Sequence, residues 1–167
     1  YKRQIPLSQQ IDLYSEHIVP FLGSFLPPYA EAYKARQIAA KGSAVSRGVV
    51  SPQPIDTFLW AVAVGAWPLA RVLWARTHNA VHSALLAAMA CRNMAEIADT
   101  DFEMLSSMAS EFEARATGVL DCIPHSIAVG EIGVRYLARR GSEWKLSLIE
   151  LAHAAELKTF LSHTHCR

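Results

Sequence analysis

Between Phe102 and Ile123 apolar residues recur at Phe102, Leu105, Ala109, Phe112, Ala116, Val119 and Ile123, in alternating steps of three and four. A strand cannot use that spacing, because its side chains change face at every residue, whereas a helix gathers the set onto one side. The stretch predicts a helix from about Asp101 to Cys122 with one buried face. Thr100 and Glu103 supply a capping box for its free N–H groups, and Pro124 stops it by pushing the preceding residue out of the helical region. The same period runs from Asn79 to Ala98 through Val81, Leu85, Ala88, Ala95 and Ala98. The polar connection between the two is short, so they pack antiparallel. Nowhere does the chain sustain strand alternation, and the expected fold is all-α.

Two further segments read as helix hairpins. Phe58–Trp74 is apolar on both sides of a break at Gly65–Pro68, and proline is favourable in a first helical turn, so Pro68 opens the second arm. Leu146–His163 repeats the outline around Ala154 and Ala155. Both resemble the paired short helices of solenoid repeats such as ankyrin, which favours stacked hairpins over a four-helix bundle. The organisation expected is an N-terminal helix pair in residues 1–40 (about Leu7–Val19 and Pro28–Ala40), a flexible loop over 41–54, and a helical-hairpin region over 55–167. The loop is read from the glycines, serines and prolines of "KGSAVSRGVVSPQP".

Composition removes several classes of function. With 16 Lys and Arg against 15 Asp and Glu, a net charge of +1 and no basic stripe, nothing favours nucleic acid. Three widely spaced cysteines make no disulfide framework and suit a reducing compartment. The longest uncharged runs, Thr57–Ala70 and Thr77–Cys91, fall short of the roughly 20 residues that cross a bilayer. "YKRQIPLSQQ" shows no signal peptide and reads as the interior of something longer.

The side chains with chemical potential are few. His78 and His82 in "HNAVH" have the four-residue spacing of zinc proteases, but Asn79 stands where a general base is needed. They read as solvated histidines at a helix start. His163, His165 and Cys166 in "HTHC", with Cys122 and His125 in "CIPH", would make a Cys2His2 set on paper. A helix and a hairpin separate the two groups, and a chain with this much core needs no metal to fold. Met89 and Met94 read as core filler. Gly118, Gly130 and Gly133 are too scattered to cradle phosphate, and Arg135, Arg139 and Arg140 read as a solvated face or a helix C-terminus, with contact to an acidic neighbour or a lipid headgroup as the alternative. No catalytic group, metal site or cofactor is expected, and no residue is assigned to cofactor binding.

Whole stretches resemble the melastatin-type transient receptor potential (TRPM) channels. Trp60, Ala61, Val62, Ala70, Leu73, Trp74, Ala84, Leu85 and Met94 lie on the pattern of their cytosolic segment. Phe112, Ala116, Leu120 and Asp121 match a second motif, and Trp144, Leu151, Ala152, Ala155, Phe160, His163 and Thr164 a third. "IDLYSEHIVPFLGSFLPPYAEAY" resembles the helix pair that precedes them. Pro68 and the "RTHN" after Trp74 depart from the pattern. The resemblance implies a helical linker on the cytosolic side of a tetrameric cation channel, many members being calcium-permeable. Such a linker lies between the N-terminal homology domains and the first membrane helix, has no pore-lining or catalytic residue, stacks subunits and passes movement to the pore. Its partners would be neighbouring subunits and other cytosolic domains of the same channel. Some members bind nucleotides or phosphoinositides on neighbouring surfaces, and no motif here corresponds to such a contact. The resemblance also makes His163 a packing or capping residue. A stand-alone helical scaffold for a protein partner, and a metal-binding protein using the terminal histidines and cysteines, are the competing readings.

Overall fold

A computed structural model describes residues 16, 18–41, 53–98, 101–124, 131–140 and 146–166. Among these the chain is all-α, as the periodicity predicts. The elements are α1 (Val19–Phe25), α2 (Pro27–Lys41), α3 (Pro54–Ala63), α4 (Trp67–Trp74), α5 (Ala80–Ala95), α6 (Phe102–Asp121), α7 (Glu131–Ala138), α8 (Leu148–Ala154) and α9 (Lys158–Leu161). A 3-10 turn, Thr164–Cys166, follows.

Helix α5 is the axis of the molecule. Twelve of its sixteen residues are buried, on every side, so its alanines and leucines serve several neighbours at once. Helix α6 packs along it, presenting Leu105, Met108, Ala109, Phe112, Ala116 and Leu120. Phe102 was expected on that face and is instead 56 % exposed, because it sits at the helix start where α5 no longer covers it. The N-cap of α6 is Asp101, without a side-chain cap bond, and Thr100 lies outside the described residues.

The short hairpins clothe this pair. Helix α3 packs on α5, and its aromatic Phe58 meets Phe112 of α6 edge to face at 5.7 Å. Gly65, at φ +70, reverses the chain where a side chain would be strained, and Pro68 stands in the first turn of α4. On the other side α8 contacts α5 and α9 contacts α6. Ser147 caps α8: its hydroxyl accepts the Glu150 N–H at 3.2 Å, and the Glu150 carboxylate accepts the Ser147 N–H at 2.8 Å.

The second helix of the expected N-terminal pair, Pro28–Ala40, is found at Pro27–Lys41. The structure shows helices at Val19–Phe25 and Pro27–Lys41, while most of the expected Leu7–Val19 helix lies outside the described residues. Pro20 was no obstacle, since it occupies the first turn of α1. A Cβ on Gly23 would come within 2.8 Å of Ala30, so glycine there lets α1 and α2 close together. Buried apolar residues from Val19 to Phe160 form one continuous core.

Candidate functional site

Three places carry polar or accessible chemistry: the C-terminal histidines, a set of buried polar staples, and an apolar groove.

His163 is fixed by its surroundings. Its Nε2 lies 2.9 Å from Asp121 Oδ1 at the end of α6, and its Nδ1 accepts the His165 backbone N–H at 3.2 Å. An acceptor Nδ1 carries no proton, so the neutral ring carries it on Nε2 and donates to the carboxylate. The His165 ring stacks edge-on at 4.8 Å. Both ring nitrogens of His163 are therefore used by the protein, as a residue that fastens the last turn to α6. Cys122 is exposed and its thiol points at the Gly118 carbonyl (3.3 Å), while burial pushes the half-buried Cys166 thiol up. His125 lies outside the described residues. Among the described residues no three His, Cys, Asp or Glu groups converge in a way that would hold a metal.

The "HNAVH" pair is a correction. His78 is exposed and precedes the helix, which begins at Ala80, so the four-residue spacing does not set the two rings on one helical face. His82, expected to be solvated, is only 5 % exposed, and burial holds its imidazole down at about 4. Asn79 is the N-cap, its side-chain oxygen accepting the His82 backbone N–H at 3.1 Å. Of the three arginines in the basic cluster, exposed Arg140 pairs with Glu150 and holds that carboxyl down at about 2.

The staples were not anticipated. Asp56, fully buried, accepts from the Tyr29 hydroxyl (2.9 Å), both terminal nitrogens of Arg36 (3.0 and 2.6 Å) and the Gln53 N–H (2.6 Å), locking α2 to the start of α3. Asn93 on α5 donates to the Phe25 carbonyl at 2.6 Å, completing the end of α1. Glu113, 4 % exposed on α6, accepts the Phe160 N–H at 3.0 Å and lies 3.6 Å from Arg92. Arg92 in turn donates to the Glu156 carbonyl at 3.0 Å, at the α8–α9 turn where Glu156 has φ 51. Nearer the surface, Arg71 of α4 binds Glu111 of α6 bidentately (2.8 and 2.7 Å), and Arg115 joins from the next turn with its guanidinium over Trp74. That pairing, led by the Arg71 hydrogen bonds, holds Glu111 down at about 2. Both buried carboxylates among the described residues had a sequence signal. Asp56 falls three residues after Gln53 at a proline-opened helix start, and Glu113 falls on the apolar stripe of α6, four residues after Ala109.

The groove, of about 800 Å³, lies where the α3–α4 and α5–α6 turns meet the end of α1. Phe25, Trp67, Met94, Met104 and Leu105 line it, and Asp101 is the charged residue of its lining. Met94 thus does serve the core, as expected, and shows its other side to the groove; Met89 is half-buried against the core.

A helical assembly fastened by buried polar staples is the class of protein that fold and site define among the described residues. Comparison with known families places it more narrowly: residues 29–163 match the family described as "TRPM2-like domain", and the chain belongs to that family. Over 126 residues, 70 % of this chain, it is 34 % identical to a curated protein of Nematostella vectensis described as "Transient receptor potential cation channel subfamily M member-like 2". The match spans 8 % of that relative's length. No helix among the described residues is long and apolar enough to cross a membrane.

Proposed function

We propose that this chain is a non-enzymatic segment on the cytoplasmic side of a TRPM-like cation channel, where it packs against neighbouring subunits and carries displacement between domains. The family match supports the channel setting. The observation that carries the mechanical role is the set of staples. Asp56–Arg36, Asn93–Phe25 and Glu113–Phe160 each join helices far apart in sequence through buried or half-buried polar contacts. A buried polar contact has one good geometry, and losing it strands a desolvated group, so the hairpins shift together instead of sliding past one another. A packed helical body of this kind transmits a push applied at one end to the other.

The test is a chimera: this chain replaces the matching region of the Nematostella relative, and cation currents are recorded beside a version lacking the region. The chimera is expected to reach the membrane and conduct, and the deletion to lose current. Unchanged current in the deletion sinks the proposal, as does a surface-expressed chimera that never conducts. A stand-alone scaffold or a metal-binding protein predicts that last outcome.

A further inference from the structure

We propose that the groove at the α3–α4 and α5–α6 turns is a docking site for a basic amphipathic helix of a protein partner. The inference goes beyond channel membership and does not depend on it. Its first support is shape and polarity. The floor is apolar, and Val64, Ile97 and Met104 stand exposed around it, Ile97 at 69 %. An open apolar groove with aliphatic and sulfur-bearing walls suits the apolar stripe of a helix, and methionine walls adapt to its side chains.

The second support is charge, and it selects the occupant. Asp101 lines the groove, exposed Glu96 and Glu103 are the chain neighbours of the lining residues Ile97 and Met104, and among the described residues no lysine or arginine belongs to the lining. An apolar trough with an acidic lip is complementary to a helix whose leucine-like stripe is bordered by lysines or arginines. It disfavours an acidic helix by like-charge contact, which costs affinity as well as failing to add it.

The experiment follows the methionine methyl groups of the 167-residue chain by NMR, since Met94 and Met104 line the groove and Met89 and Met108 do not. Two helical probe peptides are titrated, with the same leucine stripe and either lysine or glutamate on the other positions. The lysine peptide is expected to shift Met94 and Met104 saturably, leave the other two methyls in place, and bind roughly five- to tenfold tighter than the glutamate peptide. The variant Glu96→Lys, Asp101→Lys, Glu103→Lys should reverse that preference. Asp101→Lys alone, at an exposed position, should reduce it and serves if the triple variant does not fold. Equal affinity of the two peptides, shifts spread over all four methyls, or no binding overturns the proposal. So do Met94 and Met104 shifts that grow with protein concentration before any peptide is added, because a second copy would then be the occupant.

Discussion

Glu113 offers the sharpest test of the stapled body. Replacing it with alanine leaves the Phe160 N–H, held at 3.0 Å, without an acceptor inside the protein. An unsatisfied buried donor costs about 1–3 kcal/mol. The missing carboxylate and its methylenes leave a void beside Phe160, itself fully buried, which adds about 1 kcal/mol. Arg92 contributes little to the loss, because its side chain is 36 % exposed and turns to water. The sum is about 2–4 kcal/mol, or about 6–12 °C in thermal midpoint for a chain of this length. Glu113→Gln keeps an oxygen for the Phe160 N–H and gives up only the charge, so about 1 kcal/mol is expected. Urea unfolding followed by circular dichroism gives both values, and amide exchange at Phe160 should accelerate in the alanine variant more than at Leu85 in the middle of α5. If the glutamine variant falls as far as the alanine variant, the charge and not the hydrogen bond holds α9. If the alanine variant loses less than about 1 kcal/mol, the staple is not a fastening at all.

Other consequences are quickly checked. Gly23→Ala should destabilise by about 1–3 kcal/mol despite alanine's better helix propensity, because its Cβ meets Ala30 at 2.8 Å; Gly118→Ala, with nothing within 4 Å, should stabilise by up to about 1 kcal/mol, both read from chemical unfolding. His82 is held at about 4 in the folded chain against an ordinary 6.5, so the unfolded chain takes up a proton first as pH falls. The associated stability, about 3 kcal/mol, is present above pH 6.5 and lost on the way down to about 4, and His82→Leu should flatten that slope in a series of unfolding curves. Toward a maleimide the native protein should label first at exposed Cys122, whereas Cys91, buried and pushed up to about 12, should label only on unfolding.

The helices were legible because each obeys a local rule. The three-and-four spacing of α6 and the Gly65–Pro68 break are both satisfied within a few residues of chain. What escaped was decided by distant partners. Phe102 belongs to the apolar series by spacing, yet α5 ends before it can be covered. His82 looks like a solvated residue of a first turn, yet α5 is enclosed on every side from that turn onward, so an imidazole there is buried whatever its polarity. Periodicity tells which side of a helix is apolar; it does not tell how far around a helix its neighbours reach.

The candidate site shows the same division at the level of chemistry. Histidine and cysteine at the C-terminus draw attention by type, and type is a weak guide because imidazole serves equally as metal ligand and as hydrogen-bonding bracket. The bracket reading requires two particular partners, a carboxylate for one nitrogen and a backbone N–H for the other, and the fold brings both: Asp121 from the end of α6 and His165 from the following turn. Asp56 and Glu113 drew no attention because carboxylates are common, yet they are the buried ones. An acid left on an apolar stripe must find donors or unfold the helix that carries it, so its position, more than its chemical type, was the usable signal. Asp121→Asn separates the two views of the tail experimentally. The amide can still accept from the His163 Nε2–H, so the tail should stay fastened, with a loss of no more than about 1 kcal/mol. Asp121→Ala removes the acceptor and should raise amide exchange across Thr164–Cys166 without unfolding α6; an unchanged exchange rate there would mean that His163 fastens nothing.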